Sequence, residues 1–273
     1  MSASAPTDDA RGDQRLRLTR LLRQAGMAAL SLGAILILWH LSVGTLFNSA
    51  LVPTPAATFA KAWKMIMSGE LFLHIGVSLR RVLIGYVIGC VSGIMLGAIM
   101  GRFWLAHELA EPVLELIRPI SPVAIVPLAM LWFGIGEMSK FFIIIYATVI
   151  IMLLNTAAGV SRTPVTRIRA ARCLGATEYE VFMKLVLPSA VPFILTGMRV
   201  ALGFSFMGIV AAELISAREG PGFLIMNPQL LLQTDQLFVG LLALGVVGLL
   251  VDRAFRSILQ RCTRRYMQMQ HEV

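Results

Sequence analysis

Long apolar runs separated by short polar connections dominate the chain. A bilayer core needs roughly 20 apolar helical residues to cross it. Six stretches meet or approach that length, at about 25–47, 82–101, 119–136, 141–160, 193–215 and 236–256. The first is too long for a cleavable signal peptide, and no small-residue cleavage site closes it cleanly. The third is short and carries Pro119, Pro122 and Pro127, and the fifth is interrupted by Arg199 and Glu213. The sixth is the weakest, because its charge-free part ends at Val251. It spans only if Asp252, Arg253 and Arg256 lie at or near the headgroups, the long ones snorkelling. The pattern predicts an all-α polytopic membrane protein with six transmembrane helices.

The connections set a direction. Basic residues concentrate in 1–24, beside Arg102 and Arg118, in 161–192, and after Arg253. Fewer lie in the alternate connections, which hold Lys61, Lys64, Arg80, Arg81, Lys140 and Arg218. The positive-inside bias therefore predicts both termini in the cytoplasm. Residues 1–24 read as a basic cytoplasmic segment, with a short surface helix suggested by Arg15, Leu16, Leu18, Leu21 and Leu22. Residues 25–257 form the spanning domain and 258–273 a cytoplasmic tail. In the outside segment 48–81, Phe59, Trp63, Ile66 and Met67 outline an amphipathic stretch expected at the interface.

Composition sharpens this. Of 273 residues 57% are hydrophobic and 14% charged, where an ordinary soluble domain carries about 25% charge. Mean hydropathy is +0.78. A disordered chain, a soluble enzyme and a small disulfide scaffold are excluded. The net charge of +9 flanks apolar runs without basic–aromatic interleaving, so it suits a membrane surface and not nucleic acid. Cys90, Cys173 and Cys262 show no C-x-x-C spacing, so neither a disulfide framework nor a metal site is expected.

Within the spans, Gly85, Gly89, Gly93, Gly97 and Gly101 recur every fourth residue and so share one helix face. Such a stripe suits close backbone approach in the bundle interior, by tight packing or by sliding. Pro122 and Pro127 remove backbone donors, and the freed carbonyls must face protein or a watery cavity, so this helix is a candidate to line a pathway. Arg199 and Glu213 are ionisable groups within a span and candidate pathway or gating residues. About 21 Å of helix separates them at ~1.5 Å per residue, so they cannot pair with each other. A headgroup anchor suits Arg199; for Glu213, structural pairing and pathway contact stand level.

The loop 161–192 is too long for a turn and is patterned for helix. Thr163-Pro164 reads as an N-cap with proline at N1. Ile168, Ala171 and Cys173/Leu174 supply a small apolar face, and Gly175 stops the helix as a C′ glycine does. Thr177 and Glu180 make a capping box that opens a second short helix, with Val181, Phe182, Leu185 and Val186 as its apolar face and Pro188 at its end. The alanines allow close approach by another protein. The arginines suit acidic partner residues or lipid headgroups.

Arg169-Ala170-Ala171-x-x-x-Gly175, followed by Leu185-x-Leu187-Pro188, resembles the EAA loop of the membrane subunits of ABC importers. The spacing matches that pattern throughout, on the cytoplasmic side and between the fourth and fifth spans. Two positions depart from it: Arg169 stands where the family has Glu, reversing a charge, and Leu185 where it has Ile. The likeness covers about 25–260 and is similar to the sulfonate/nitrate/taurine-type subfamily in "RPISPVAIVPLAMLWFGIGEMSK" (118–140), "LNTAAGV" (154–160), "ILTGMRVALG" (194–203), "VAAELI" (210–215) and "GPGFLI" (220–225). The resemblance implies a type I ABC importer permease fold in a bacterial inner membrane. It implies two permease copies, favouring a homodimer, around a path for an anionic organic or inorganic solute such as a sulfonate, taurine or nitrate. It further implies an ATP-binding cassette ATPase dimer docked at the loop and a periplasmic or lipid-anchored substrate-binding protein outside. The docking residues implied are Arg169, Ala170, Ala171, Gly175 and Ala176, with Leu187 and Pro188 fixing the exit into the fifth span.

The chain's own chemistry agrees. None of its lysines (Lys61, Lys64, Lys140, Lys184) follows a glycine, so no G-x-x-x-x-G-K-S/T phosphate loop exists. ATP would bind the partner, and no cofactor or catalytic residue is expected here. His40, His74, His107 and His271 show no metal-ligand spacing and Gly203-Phe204-Ser205-Phe206-Met207 is no nucleophile elbow, so an intramembrane enzyme finds no support. The alternative is an ion-gradient-driven transporter or channel, which would usually carry more mid-membrane carboxylates than Glu213 alone.

Overall fold

The computed structural model describes residues 23, 26, 27, 30, 31, 33–46, 48, 51–216 and 219–268, all secondary structure in the last nine being backbone only. The chain divides into two units, Met1–Lys61 and Ala62–Val273. The first unit contains the apolar helix α1 (Gly33–Ser42); the surface helix expected around Arg15–Leu22 lies outside the described residues. Within this unit the Trp39 indole N–H donates to the Pro53 carbonyl at 3.1 Å. Helix α2 (Pro55–Met67) follows, and the division between the units falls inside it.

The second unit continues with α3 (Glu70–Arg102), α4 (Trp104–Ile117), α5 (Pro122–Phe133), α6 (Glu137–Ser161), α7 (Val165–Cys173) and α8 (Glu178–Val181). A π-helical turn at Phe182–Val186 leads into α9 (Leu187–Ser216), and α10 (Phe223–Leu230) and α11 (Thr234–Gln268) complete it. Among the described residues, four helices are long and apolar enough to cross a membrane, or five if α4 and α5 count as one bent span. The second, fourth, fifth and sixth expected spans fall on these four helices, while the third coincides only with the 12-residue α5. The first, 25–47, overlaps α1 and otherwise lies partly outside the described residues. Helix α3 begins at Glu70, well before residue 82. Arg80 and Arg81, expected in a connection, therefore lie inside α3.

Helices α3, α6 and α9 form the centre, with α6 in the middle. The glycine stripe of α3 lies against α6 in constant register: Gly85 on Ile144, Gly89 on Thr148, Gly93 on Met152, Gly97 on Leu153 and Thr156, Gly101 on Val160. The two helices thus run in the same direction. A Cβ on Gly93 would sit 2.5 Å from the Met152 Cβ and 2.9 Å from the Val149 carbonyl oxygen. Only hydrogen fits. Dispersion between closely packed helices is the main attraction available in lipid, where the hydrophobic effect between helices is absent. The reverse face of α3 exposes Leu83, Val87, Val91 and Met95.

Small residues also bring α6 and α9 together. Gly159 faces Phe193 and Ala190, and Gly197 faces Asn155. The buried hydroxyls of Thr148 and Ser205 lie 2.8 Å apart, one donating to the other, which in turn donates to the carbonyl four residues back on its own helix. Tyr86 donates from α3 to the Met198 carbonyl at 2.7 Å. Helix α5 packs Val126 and Ala129 against Ile143, Ala211 and Ala212.

The prolines of the third expected span do more than bend it. Two helices, α4 and α5, meet at 98°. Pro119 cannot donate, Ser121 caps α5 by accepting from the Val123 N–H, and Pro122 occupies its first turn. Carbonyls released at the break, Ile117 and Ile120, accept from the Tyr146 hydroxyl at 3.4 and 3.3 Å.

Three local expectations for the loop are corrected. Thr163 does not cap α7: the N-cap is Pro164, and the Thr163 hydroxyl is buried without a partner. Neither Cys173 nor Leu174 is part of the apolar face: Cys173 is exposed on the outer side of α7, and the turn at its end carries Leu174 outward to 88% exposure. Pro188 does not end the second helix, because α8, the π-turn and α9 form one continuous rod. The Leu187 N–H reaches the Phe182 carbonyl, five residues back, and this wider turn accommodates the donor that Pro188 lacks. The Ser189 hydroxyl takes up the Leu185 carbonyl at 2.7 Å.

Gly93→Leu is expected to cost about 1–3 kcal/mol by overpacking. It should lower the thermal unfolding midpoint of the detergent-solubilised protein. Gly76→Ala, with nothing within 4 Å of the new methyl, should leave the midpoint unchanged or raise it slightly.

Candidate functional site

The two ends of the α3–α6–α9 bundle carry different chemistry. At one end the loop between α6 and α9 projects. Its first helix ends in a Schellman turn: the Ala176 N–H reaches the Ala171 carbonyl at 3.1 Å and the Gly175 N–H the Arg172 carbonyl at 3.0 Å. Gly175 has φ 85°, a left-handed conformation costly for any residue with a Cβ. The expected capping box is present, with the Thr177 N–H donating to Glu180 at 3.1 Å and the Glu180 N–H to Thr177 at 3.3 Å. Val181 and Val186 are buried, and Ile168, Ala171, Ala176, Phe182, Leu185 and Leu187 pack around them.

The loop residues singled out in the sequence therefore divide. Ala171, Ala176 and Leu187 face the core of the loop, and Gly175 makes its turn. Arg169, Ala170 and Pro188 are exposed. Arg172 bonds Glu178 at 2.7 Å, and Arg102 from the end of α3 bonds the other oxygen of the same carboxylate. This pair of contacts ties α7, α8 and α3 together.

At the far end, a polar cluster sits among apolar helices, with Arg81, Lys140 and Glu213 buried and Glu137 exposed at its edge. The Arg81 guanidinium, on α3 and 4% exposed, donates Nε–H and Nη2–H to the two oxygens of Glu137 at the start of α6, both at 2.6 Å. Its Nη1 reaches Glu213 near the end of α9 at 3.1 Å and the Glu219 carbonyl at 3.1 Å. Lys140 also bonds Glu137, at 2.9 Å. Glu213, 1% exposed, further accepts from the Ser78 hydroxyl and from the Gly222 N–H at 3.2 Å. His74 accepts the Gly220 N–H at 3.0 Å. Two cations meet two carboxylates, so the cluster is neutral.

The segment 219–222 wraps over Glu213 because its glycines leave room. A Cβ on Gly222 would lie 2.5 Å from the Glu213 Cβ, and one on Gly220, where φ is 122°, would strike the carboxylate itself. Glu213 is thus held by Arg81, Ser78 and backbone in this structure. By hydropathy alone Arg81 falls among the connection residues. The signal that could have found it is its place four residues before Gly85, on the stripe facing α6.

Among the other candidates, Arg199 and Asp252 of α11 approach to 3.6 Å, both about half exposed, and Asp252 also holds Arg256 at 2.8 Å. Pro122 is half-buried and Pro127 exposed on α5. Neither lies in the charge cluster. Among the described residues, no group of three or more His, Cys, Asp and Glu side chains could hold a metal ion.

A bundle of long apolar helices, with an ion cluster at one end and a helical loop at the other, defines a polytopic membrane protein. Residues 93–264 match the family described as binding-protein-dependent transport system inner membrane component, and the chain belongs to that family. A probable ABC transporter permease protein of Brucella abortus is 38% identical over 232 residues, which cover 85% of this chain and 90% of the relative. The taurine transport system permease protein TauC of Escherichia coli is 32% identical, covering 88% and 91%. The nitrate import permease protein NrtB of Leptolyngbya laminosa is 30% identical, covering 76% and 77%. The fold resembles the MetNI methionine ABC transporter in an inward-facing conformation, with a TM-score of 0.59 at 17% identity, covering 68% of this chain and 93% of that one. The chain is a multi-pass inner-membrane permease subunit of the sulfonate/nitrate/taurine type, and permeases of ABC importers work with an ATPase and a substrate-binding protein.

Arg81→Ala would leave Glu213 buried beside an empty site. Breaking a buried pair in this way costs about 3–5 kcal/mol, so little folded protein should be recovered from membranes and its unfolding midpoint should fall sharply. Replacing both partners, with Arg81→Met and Glu213→Gln together, should recover part of that loss, read by the same melting measurement.

Proposed function

We propose that this chain forms half of the translocation path of an ATP-driven importer, as one of two copies, for a solute bearing an anionic group, such as a sulfonate, taurine or nitrate. An ATPase dimer docks on α7 and the turn after it. An external binding protein delivers the solute to the opposite end, beside the Arg81 cluster. Both termini and the loop are cytoplasmic.

One observation carries this reading: α8 continues through the π-turn into α9 as one helix over Glu178–Ile215. A helix is stiff along its axis, so displacement of the docked loop is transmitted to the span and not absorbed in a hinge. Contacts that differ between the two nucleotide states of the ATPase then bias the two states of the path, which is what coupling requires. The charges at that end are paired with one another, so they offer little standing attraction to an anion, and recognition falls mainly to the binding protein. The names of TauC and NrtB support the solute class.

Reconstituted with its ATPase and binding protein, the chain should accumulate solute only when ATP is hydrolysed. Accumulation by the chain alone, driven by an ion gradient, would overturn the proposal. Orientation has its own measurement. Cys173 is exposed and Cys90 buried, so in a Cys262→Ser background a membrane-impermeant maleimide should label inside-out vesicles and spare intact cells.

A further inference from the structure

The outward face of α7 can be read residue by residue. Thr166, Arg169, Ala170 and Cys173 fall at i, i+3, i+4 and i+7, so they share one side of the helix, and all four are exposed. Ile168 and Ala171 occupy the opposite side, against the loop's core. The outward face is therefore a shallow surface of small side chains around a single guanidinium. No acidic residue lies on α7. The nearest acids are already engaged, Glu178 by Arg172 and Arg102, and Glu180 by Thr177 and Lys184. Nothing within the loop balances Arg169.

The neighbouring surface has shape as well as charge. Leu174 stands out at 88% exposure and lines a groove of about 360 Å³ with Ala171, Gly175, Ala176, Val181 and Leu185, whose charged lining residues, Glu180 and Lys184, pair with each other. An apolar knob, a groove and a flat small-residue face ask for a complementary solid surface. A fluid layer of headgroups would need the charge but not the shape.

We infer that the occupant of this face is an ATPase subunit whose docking groove presents a carboxylate to Arg169. The loop is then recognised with the opposite charge sense to a loop carrying Glu at that position. The inference rests on the docking reading proposed above. A guanidinium enclosed by small residues is desolvated as the surfaces close, and a planar carboxylate meets its two parallel N–H groups with charge-assisted bonds. A lysine or arginine in the groove would instead repel it, so Arg169 would also select against ATPases built for an acidic loop.

The test uses the complete complex in nanodiscs, measuring ATPase retention on the purified permease. Arg169→Glu should weaken retention at least about tenfold, within the range of coupling between close charged pairs. Arg169→Lys, which keeps the charge and loses the paired N–H geometry, should fall between the wild type and Arg169→Glu. In the Arg169→Glu background, changing groove carboxylates of the ATPase to lysine one at a time should restore retention at one position. The loss should be equal in discs of phosphatidylcholine alone and in discs containing phosphatidylglycerol. Wild-type retention by Arg169→Glu, failure of every carboxylate change to rescue, or a loss confined to anionic discs would each overturn the inference, the last assigning Arg169 to lipid. Gly175→Val separates the two readings, because it strains the turn without touching the charge. If Gly175→Val loses the ATPase while Arg169→Glu keeps it, docking stands and the carboxylate falls. If both keep it, docking itself falls.

Discussion

The contact of α3 with α6 at backbone distance is the constraint on which the rest of this structure depends. Five glycines, one per helical turn and each directly beneath a side chain or carbonyl of α6, let the two helices approach to a distance that no larger residue on that face would permit. Fixing α3 against α6 also fixes what continues the stripe. Arg81 stands four residues before Gly85, where the close packing gives way to charge, and the same alignment that seats Gly85 on Ile144 brings Arg81 to Glu137. In lipid an unpaired guanidinium at that place would be far costlier than in water. The steric lock thus makes the ionic one possible, and the two together hold the end of the bundle away from the loop.

The opposite end depends on continuity more than on contact. Proline after a helix usually signals its end, yet here a π-turn takes up the missing donor and joins α8 to α9. Such a turn costs some hydrogen-bond geometry, and it recurs at functional sites because it keeps a helix whole while altering its path. The Schellman turn at Gly175 performs the complementary task by reversing the chain at one fixed angle. Ala171 and Ala176 sit on its inner side, where larger side chains would push α7 off the loop's core. Arg169 and Ala170 remain free on its outer side. A motif that reads as one string is therefore two sets of residues, one shaping the projection and one facing away from it.

Much of this was legible beforehand. Apolar run lengths placed the long helices, since the bilayer imposes a single dimension on every span. The four-residue glycine period identified the close-packed face, because helical geometry maps period onto face. Local capping was readable at Thr177, Glu180 and Gly175, where the partners lie within a few residues. The reading failed where local rules had to compete. Thr163-Pro164 resembled a cap, but the hydroxyl is buried, and Pro188 resembled a terminator, but the helix absorbed it.

What the sequence by itself determined is the class of the molecule: a lipid-embedded helical chain with one small-residue packing face and a capped, projecting loop, all consequences of short-range periodicity and stereochemistry. What only the tertiary structure decided is which charges meet. Ser78, Arg81, Glu137, Glu213 and Gly222 come from four separate segments, and no spacing along the chain relates them. Buried ions choose partners by distance after the helices have aligned, and that alignment is set by glycine contacts made far from the charges themselves.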